Sequence, residues 1–312
     1  PWVGRDAALE PAHRLTFGFQ FAMEDYPEQH AADLRLELPR GREVGLRSVR
    51  ARLFWDHVEP ENVSPEDFDW SATDERFTAY TAWGQLPTRK GYVVWYPNSR
   101  SSTGRGVEFA KADHGDPLGR EFEDHLDASA HFSEQGWIDR DRVGVGGGSY
   151  GGYTAAWAAT RHSEHFAAAV SFVPITHVPT KWLTSDIPWE FYYVHYEEQW
   201  PHLQWDFLSD RSPLTYAADC TTPLLLAGGT ADPRVHPSQP FMLYRAVETG
   251  TDTPVRYVQY PGEGHGNRVN VNRYDYMLRA LRWFDHYLRP GDHRADAPPP
   301  LDLDYSAWKA GR

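Results

Sequence analysis

The run Gly146-Gly147-Gly148-Ser149-Tyr150-Gly151-Gly152-Tyr153 constrains this chain more than any other stretch. A short, largely apolar segment, Arg142-Val143-Gly144-Val145, leads into it. A helix-forming segment, Thr154-Ala155-Ala156-Trp157-Ala158-Ala159, leads out. Strand, tight turn and helix with Gly-x-Ser-x-Gly at the turn is the setting in which a serine is lifted to the tip of a strained corner. Side chains two residues to either side of that serine would collide with the strand and the helix. Gly147 and Gly151 carry none, and glycine accepts the backbone angles such a corner needs. Gly148 and Gly152 ease the packing further. The competing reading is a plain glycine-rich turn, because the bare pattern arises by chance in about one chain in ten of this length. Its place between strand and helix favours Ser149 as a nucleophile.

With 312 residues, 40% of them hydrophobic and 14% aromatic, the chain can fill one large α/β core or two small ones. A net charge of −13 argues against general affinity for nucleic acid or anionic membranes and is read as solubility. No apolar run approaches the roughly 18 residues of a membrane span, and no basic-then-apolar signal segment opens the chain. The first residue is Pro1 rather than Met, so the expectation is a processed form or an excised piece. Cys220 is the single cysteine, which excludes an intramolecular disulfide and fits a reducing, cytoplasmic setting. It precedes Pro223-Leu224-Leu225-Leu226 and reads as a buried thiol, not a nucleophile.

Leu15-Thr16-Phe17-Gly18-Phe19 and Leu34-Arg35-Leu36-Glu37-Leu38 alternate as half-buried antiparallel strands do, and Val49 to Phe54 is a third candidate. An acidic loop follows over residues 60–74, then a helix from Glu75 to about Leu86. Beyond it strands and helices alternate. Strands are expected at Tyr92–Tyr96, Val143–Val145, Phe166–Val173, Leu224–Ala227 and Val255–Tyr260, the first of them apolar enough to be buried on both faces. Helices are expected at Arg120–Gln135 with Phe122, Leu126 and Phe132 inward, near 153–162, and at 238–249. In the final helix Tyr274, Met277, Leu278, Leu281, Phe284 and Leu288 trace one stripe. Repeated βα units imply a doubly wound, mostly parallel sheet with helices on both faces. Residues 176–216 break the rhythm with nine aromatic residues from Trp182 to Phe207. They would either line a pocket or lid, with Trp182 and Tyr193 touching substrate, or form a satellite core.

A serine hydroxyl needs a histidine to accept its proton, and the histidine needs an acid to orient it. In open α/β sheets such groups sit just past the carboxyl ends of strands. Asp232 follows the strand at Leu224, and His265 follows the strand at Val255 within Pro261-Gly262-Glu263-Gly264-His265-Gly266. The chain order Ser149, Asp232, His265 is that of α/β-hydrolases. Singly, the aspartate could cap a turn and the histidine could be an ordinary loop residue; together and in order they read as a triad. His162 and His165 could share a metal, but no His-Glu-x-x-His motif or ligand cluster is apparent, so they read as exposed helix-end histidines and no metal is expected. Asn98 to Gly106 lacks the Gly-Lys-Ser/Thr of a phosphate loop and reads as a loop at the rim of the site.

Three motifs, Gly147-Gly148-Ser149-Tyr150-Gly151-Gly152-Tyr153, Asp232-Pro233-Arg234-Val235-His236-Pro237-Ser238-Gln239 and Tyr260-Pro261-Gly262-Glu263-Gly264-His265-Gly266-Asn267-Arg268, closely resemble the prolyl oligopeptidase family of serine peptidases. The acylaminoacyl-peptidase and dipeptidyl-peptidase-like branch is the most similar, and the resemblance runs from about Gly91 to Leu288. It implies an α/β-hydrolase fold with Ser149 as nucleophile, Asp232 as orienting acid and His265 as general base. It implies that Arg234 holds a substrate carbonyl and that the Tyr150 amide serves the oxyanion hole. Two departures stand out. The family's His-Gly-Gly-Pro, which helps build the oxyanion hole, has His57-Val58-Glu59-Pro60 as its best counterpart, and Ser101 replaces a family glycine in the Asn98 loop. A Glu59 carboxylate at ~6 Å from the oxyanion would oppose it by about 3 kcal/mol at an effective dielectric of about 20. Losing one donor outright costs roughly 3–4 kcal/mol. The β-propeller that precedes the hydrolase domain in full-length relatives has no room in the residues before Gly91.

The expectation is one α/β-hydrolase domain over residues 1–290, with antiparallel strands in 1–58, an aromatic-rich cap or pocket insertion at 176–216, and an extension over 291–312. Its activity would be cleavage of peptide or N-acyl-amino-acid bonds through an acyl-enzyme on Ser149, with no metal or organic cofactor. A carboxylesterase and a weakly active or silent binding protein are the alternatives. The substrate would be a small peptide or acyl ester, with neither nucleic acid nor membrane as partner, and homo-oligomerisation is left open.

Overall fold

The computed structural model describes residues 87, 90–102, 105–196 and 199–300, together with the backbone of 15–21. Six strands carry the apolar runs: β1 (Leu15–Phe21), β2 (Tyr92–Trp95), β3 (Val143–Gly148), β4 (Ala168–Phe172), β5 (Leu224–Gly229) and β6 (Val255–Tyr260). All five pairings between them are parallel, in the order β2-β1-β3-β4-β5-β6. The longer helices are α1 (Arg120–Glu134), α2 (Tyr150–Arg161), α3 (Val178–Thr184), α4 (Trp205–Asp210), α5 (Ser238–Gly250) and α6 (Asn270–Leu288).

Parallel connections put helices on both faces of a sheet, so its central strands must be apolar on both sides. In β4, Ala168 and Val170 pack with Tyr276, Ala280 and Phe284 of α6, as do Leu225 and Ala227 of β5. The alternate residues Ala169, Leu224 and Leu226 face the other way, onto Ala156 and Ala159 of α2 and Leu243 and Val247 of α5. Period-two geometry therefore turns one unbroken apolar run into two cores. The chain winds from β1 outward to β2, then crosses back to lay β3 on the other side of β1. That reversal is the point at which open α/β sheets leave a crevice past their strand ends. Ser149 stands at the end of β3, beside it.

Four expectations are corrected or refined. Leu15–Phe21 lies parallel to both β2 and β3, not antiparallel. Alternation bears on the two faces of a strand and not on the direction of its neighbours, which distant chain sets. Strand β2 is outermost among the described strands, and only Tyr92 in it is fully buried. The buried face of α6 runs through Tyr276, Ala280, Leu281, Trp283, Phe284, Tyr287 and Leu288, so Leu281, Phe284 and Leu288 of the expected stripe are buried and its first three residues are replaced. Tyr274, Met277 and Leu278 are only half-buried. Aromatic residues at nearly every turn make several stripes equally apolar, and the larger rings take the core. Finally, residues 176–216 form a satellite core. Trp182, Phe191, Tyr196 and Leu208 are buried in one cluster with Tyr150 and Tyr153 of α2, while Trp189, Tyr193 and Trp205 stay exposed. The strands expected at Leu34 and Val49, the loop at 60–74 and the helix at Glu75–Leu86 lie outside the described residues.

Candidate active site

Strand β3 ends at Gly148 and α2 begins at Tyr150, so Ser149 alone makes the corner. It does so at φ 57° and ψ −119°, a conformation that costs a non-glycine residue about 1–3 kcal/mol. The surroundings hold it there. Its amide donates to the Phe172 carbonyl at 3.0 Å, and its own carbonyl accepts the Tyr153 amide at 2.8 Å. A side chain at Gly152 would put Cβ 2.4 Å from the Phe172 carbonyl oxygen, so the elbow closes onto β4 only because that residue is glycine.

Asp232 follows β5 and His265 follows β6, and the fold brings both to Ser149 although 116 residues of sequence separation lie between His265 and the serine. His265 Nε2 stands 2.7 Å from Ser149 Oγ, and His265 Nδ1 stands 2.8 Å from Asp232 Oδ2. An ionised carboxylate only accepts, so the ring proton sits on Nδ1 and Nε2 is free to accept from the serine hydroxyl. The remaining Asp232 oxygen, Oδ1, accepts the amides of Arg234 at 2.9 Å and Val235 at 3.0 Å. Asp232 is 4% exposed, so these bonds replace the water its charge has lost.

The acid and base loops are zipped together. Ala231 donates its amide to the Glu263 carbonyl at 2.9 Å, and the Gly262 amide reaches Thr230 Oγ1 at 2.9 Å. A Cβ on Gly229 would lie 2.1 Å from the Glu263 carbonyl oxygen. The Glu263 side chain then fixes the far side of the histidine loop, accepting the amides of Arg268 at 2.8 Å and Val269 at 3.0 Å and the side-chain amide of Asn272 at 2.6 Å. Burial opposes its charge, but the Arg268 amide and the other donors outweigh that and hold the carboxyl below its usual range. No sequence signal marks this role of Glu263.

Tyr150 contributes at both ends. As the first helical residue of α2 its amide has no partner within the helix, which leaves it available to a developing oxyanion beside Ser149. Its ring is buried, stacked on His195 with centroids 5.0 Å apart, and its hydroxyl donates to Glu121 Oε1 at 2.5 Å. The same oxygen accepts the amide of Leu118, itself at φ 53°. Asp113 Oδ2 bonds His195 Nδ1 at 2.6 Å, so two carboxylates and an imidazole lie buried beneath the elbow. Burial, and then the Asp113 charge, push the Glu121 carboxyl up to about 7 against the pull of its two hydrogen bonds and of His195. No sequence signal marked Glu121, which reads as an ordinary first-turn acid of α1.

The other expected site residues divide. Arg234 lies on the acid loop, its Nε 3.3 Å from Asp186 Oδ1, and the Asp186 amide donates to the Pro233 carbonyl at 3.1 Å. Trp182 is 1% exposed and packs between Phe191, Tyr196 and Trp200, so it supports the site from behind and presents no face to a substrate. Tyr193 is exposed and stacks on Trp189 with centroids 5.9 Å apart, while its carbonyl bonds His114 Nε2 at 3.0 Å. Glu59 and the rest of His57-Val58-Glu59-Pro60 lie outside the described residues. In the Asn98 loop, Arg100 is committed to Asp124 of α1 at 2.7 Å, and Ser101 sits at φ 75°, backbone that favours glycine.

Residues 78–291 match the prolyl oligopeptidase family. The chain is 34% identical to dipeptidyl aminopeptidase BIII of Pseudoxanthomonas mexicana, covering 60% of this chain and 28% of that enzyme. It is 30% identical to the human acylamino-acid-releasing enzyme, covering 67% of this chain and 29% of that one. The chain thus spans under a third of the length of these relatives. The uncomplexed acylaminoacyl peptidase of Pyrococcus horikoshii superposes with a TM-score of 0.61 at 28% identity, covering 72% of this chain and 36% of that structure. The matched stretch takes in the serine corner, both loops and every strand from β2 to β6, and it shows that the chain belongs to the prolyl oligopeptidase family, on an α/β-hydrolase fold.

Proposed function

We propose that the chain hydrolyses peptide or N-acyl-amino-acid bonds through an acyl-enzyme on Ser149. The observation that carries this reading is the continuous relay from Ser149 Oγ through His265 to Asp232, with contacts of 2.7 and 2.8 Å. Ser149 Oγ attacks the substrate carbonyl as its proton passes to His265 Nε2. Asp232, held by two backbone amides, keeps the ring oriented and stabilises the imidazolium. The Tyr150 amide donates to the oxyanion, and such a donor contributes about 3–4 kcal/mol. His265 returns the proton to the leaving amine, and water then repeats the sequence on the ester. Arg234, braced by Asp186, sits beside the acid and would take a substrate carbonyl. No step requires a metal or an organic cofactor. Peptide substrates are favoured because the relatives are dipeptidyl aminopeptidases and acylaminoacyl peptidases by name. A cytoplasmic setting accompanies the proposal, since the single Cys220 precludes an intramolecular disulfide and suits a reducing compartment.

A fluorophosphonate probe tests the nucleophile. Wild type should be labelled and Ser149→Ala should not; equal labelling of both would end the proposal. Parallel assays on an aminoacyl anilide and a chromogenic acyl ester test the substrate class, and turnover of the ester alone would replace peptidase with esterase.

A further inference from the structure

Helix α2 carries Ser149 at its start, and at its other end the turn back to β4 gathers three metal-type donors. His162, Glu164 and His165 place one ligand atom each within 4.8 Å of the others. No ligand cluster around the two histidines is apparent from sequence, and the turn at Ser163–His165 brings the Glu164 carboxylate to both of them. His165 Nε2 lies 3.4 Å from Glu164 Oε1. Zinc bound tetrahedrally at about 2.0–2.2 Å to nitrogen and oxygen sets neighbouring donors about 3.4 Å apart, so this pair already spans one edge of the tetrahedron. The two imidazole centroids are 6.4 Å apart. On one tetrahedral ion they would stand about 5–5.5 Å apart, a closure that side-chain rotation provides. Glu164 and His165 have that freedom, with side chains 68% and 31% exposed.

The rest of the turn is fixed. His162 stacks on Phe122 with centroids 4.6 Å apart. The intervening Ser163 is buried; its carbonyl accepts Thr222 Oγ1 at 3.0 Å, its hydroxyl oxygen accepts the Thr221 amide at 3.2 Å, and its own hydroxyl donates to the Ala159 carbonyl. The neighbouring cation Arg161 is drawn over the Tyr216 ring, 5.0 Å from its centroid.

We propose that His162, Glu164 and His165 form a binding site for a borderline divalent cation such as Zn²⁺, with water completing the tetrahedron. Two imidazoles and one carboxylate select zinc-like ions over Mg²⁺ and Ca²⁺, which prefer oxygen donors. The site is remote from the nucleophile: the twelve residues of α2 set it about 18 Å along the helix axis from Ser149. A bound ion would therefore pin the return from α2 to β4 and take no part in hydrolysis.

Isothermal titration of the full chain, without an affinity tag, with Zn²⁺ near pH 7.5 tests this. Wild type should take up one Zn²⁺ that millimolar Mg²⁺ does not displace, and Glu164→Gln and His165→Gln should each weaken it by at least about tenfold. Hydrolytic activity should be unchanged in both variants. Glu164 is exposed, so its variant tests the site without risk to the fold. Wild type that binds no Zn²⁺ at about 100 µM, or either variant binding as tightly as wild type, would overturn the proposal.

Discussion

Tyr150 joins two features in one residue: its amide opens α2 directly after Ser149, and its hydroxyl is bonded to a buried acid. Because Glu121 Oε1 receives both the Tyr150 hydroxyl and the Leu118 amide, it ties the start of α2 to the start of α1. The cost is a carboxylate without water, with its pKa raised to about 7 by burial and then by Asp113. Since the folded value lies above the ordinary one, the native state holds the proton more tightly than the unfolded chain does. That stabilisation is fully present below the ordinary carboxylate range and is lost as pH rises through about 7. Glu121→Gln keeps an acceptor oxygen and removes the charge. Its denaturant stability relative to wild type should therefore improve between pH 5 and pH 8, by roughly 2–3 kcal/mol. Equal pH dependence in both proteins would show that Glu121 is not the group concerned. At this scale Ser149, Asp232 and His265 were legible in the sequence because each follows a strand and carries a recognisable residue type. Glu121, Glu263 and Asp186 were not, because an acid on a helix or loop gives no sign of what it will meet.

At the scale of elements, the aromatic segment decides how the elbow is backed. Tyr150, Tyr153, Trp182, Phe191 and Tyr196 form one buried cluster, so α3 and the turns after it are packed onto α2 and do not stand away from it as a flap. Trp182→Ala should lower stability by about 3–5 kcal/mol in urea or thermal unfolding, the usual cost of emptying a large buried aromatic site. The fraction that remains folded should keep its KM within about twofold, as expected of a residue that meets no substrate. A large rise in KM at unchanged stability would restore Trp182 to the binding surface. The helices were readable from 3.6-residue periodicity, yet the face each one buries was not always so. In α6 the aromatic side chains at Tyr276, Trp283 and Tyr287 took the core in place of Tyr274, Met277 and Leu278. Several stripes were apolar, and the sheet beneath chose among them by the volume it had to fill.

At the scale of the whole molecule, charge and topology matter most. A net charge of −13 produces a field that draws cations toward the protein. The kcat/KM for a peptide substrate with a free amino group should fall severalfold as NaCl is raised from about 20 to about 200 mM, while that for an N-acylated neutral analogue changes little. Equal salt responses would show that the field at the site does not follow the net charge. No described helix is long and apolar enough to cross a membrane. The sequence by itself determined the alternation of strand and helix, the serine corner between β3 and α2, and the order in which acid and base follow, because periodicity and turn chemistry are local properties. It did not determine that Leu15–Phe21 would lie parallel between β2 and β3, nor that Glu121 would meet the Tyr150 hydroxyl. Nor did it determine that Glu164 would close a ligand set with His162 and His165. Strand direction, buried partners and rotamers depend on chain that is distant in sequence or on the exact path of a turn. Only the assembled sheet brings the ends of β3, β5 and β6 to one edge, where Ser149, Asp232 and His265 come within hydrogen-bonding reach.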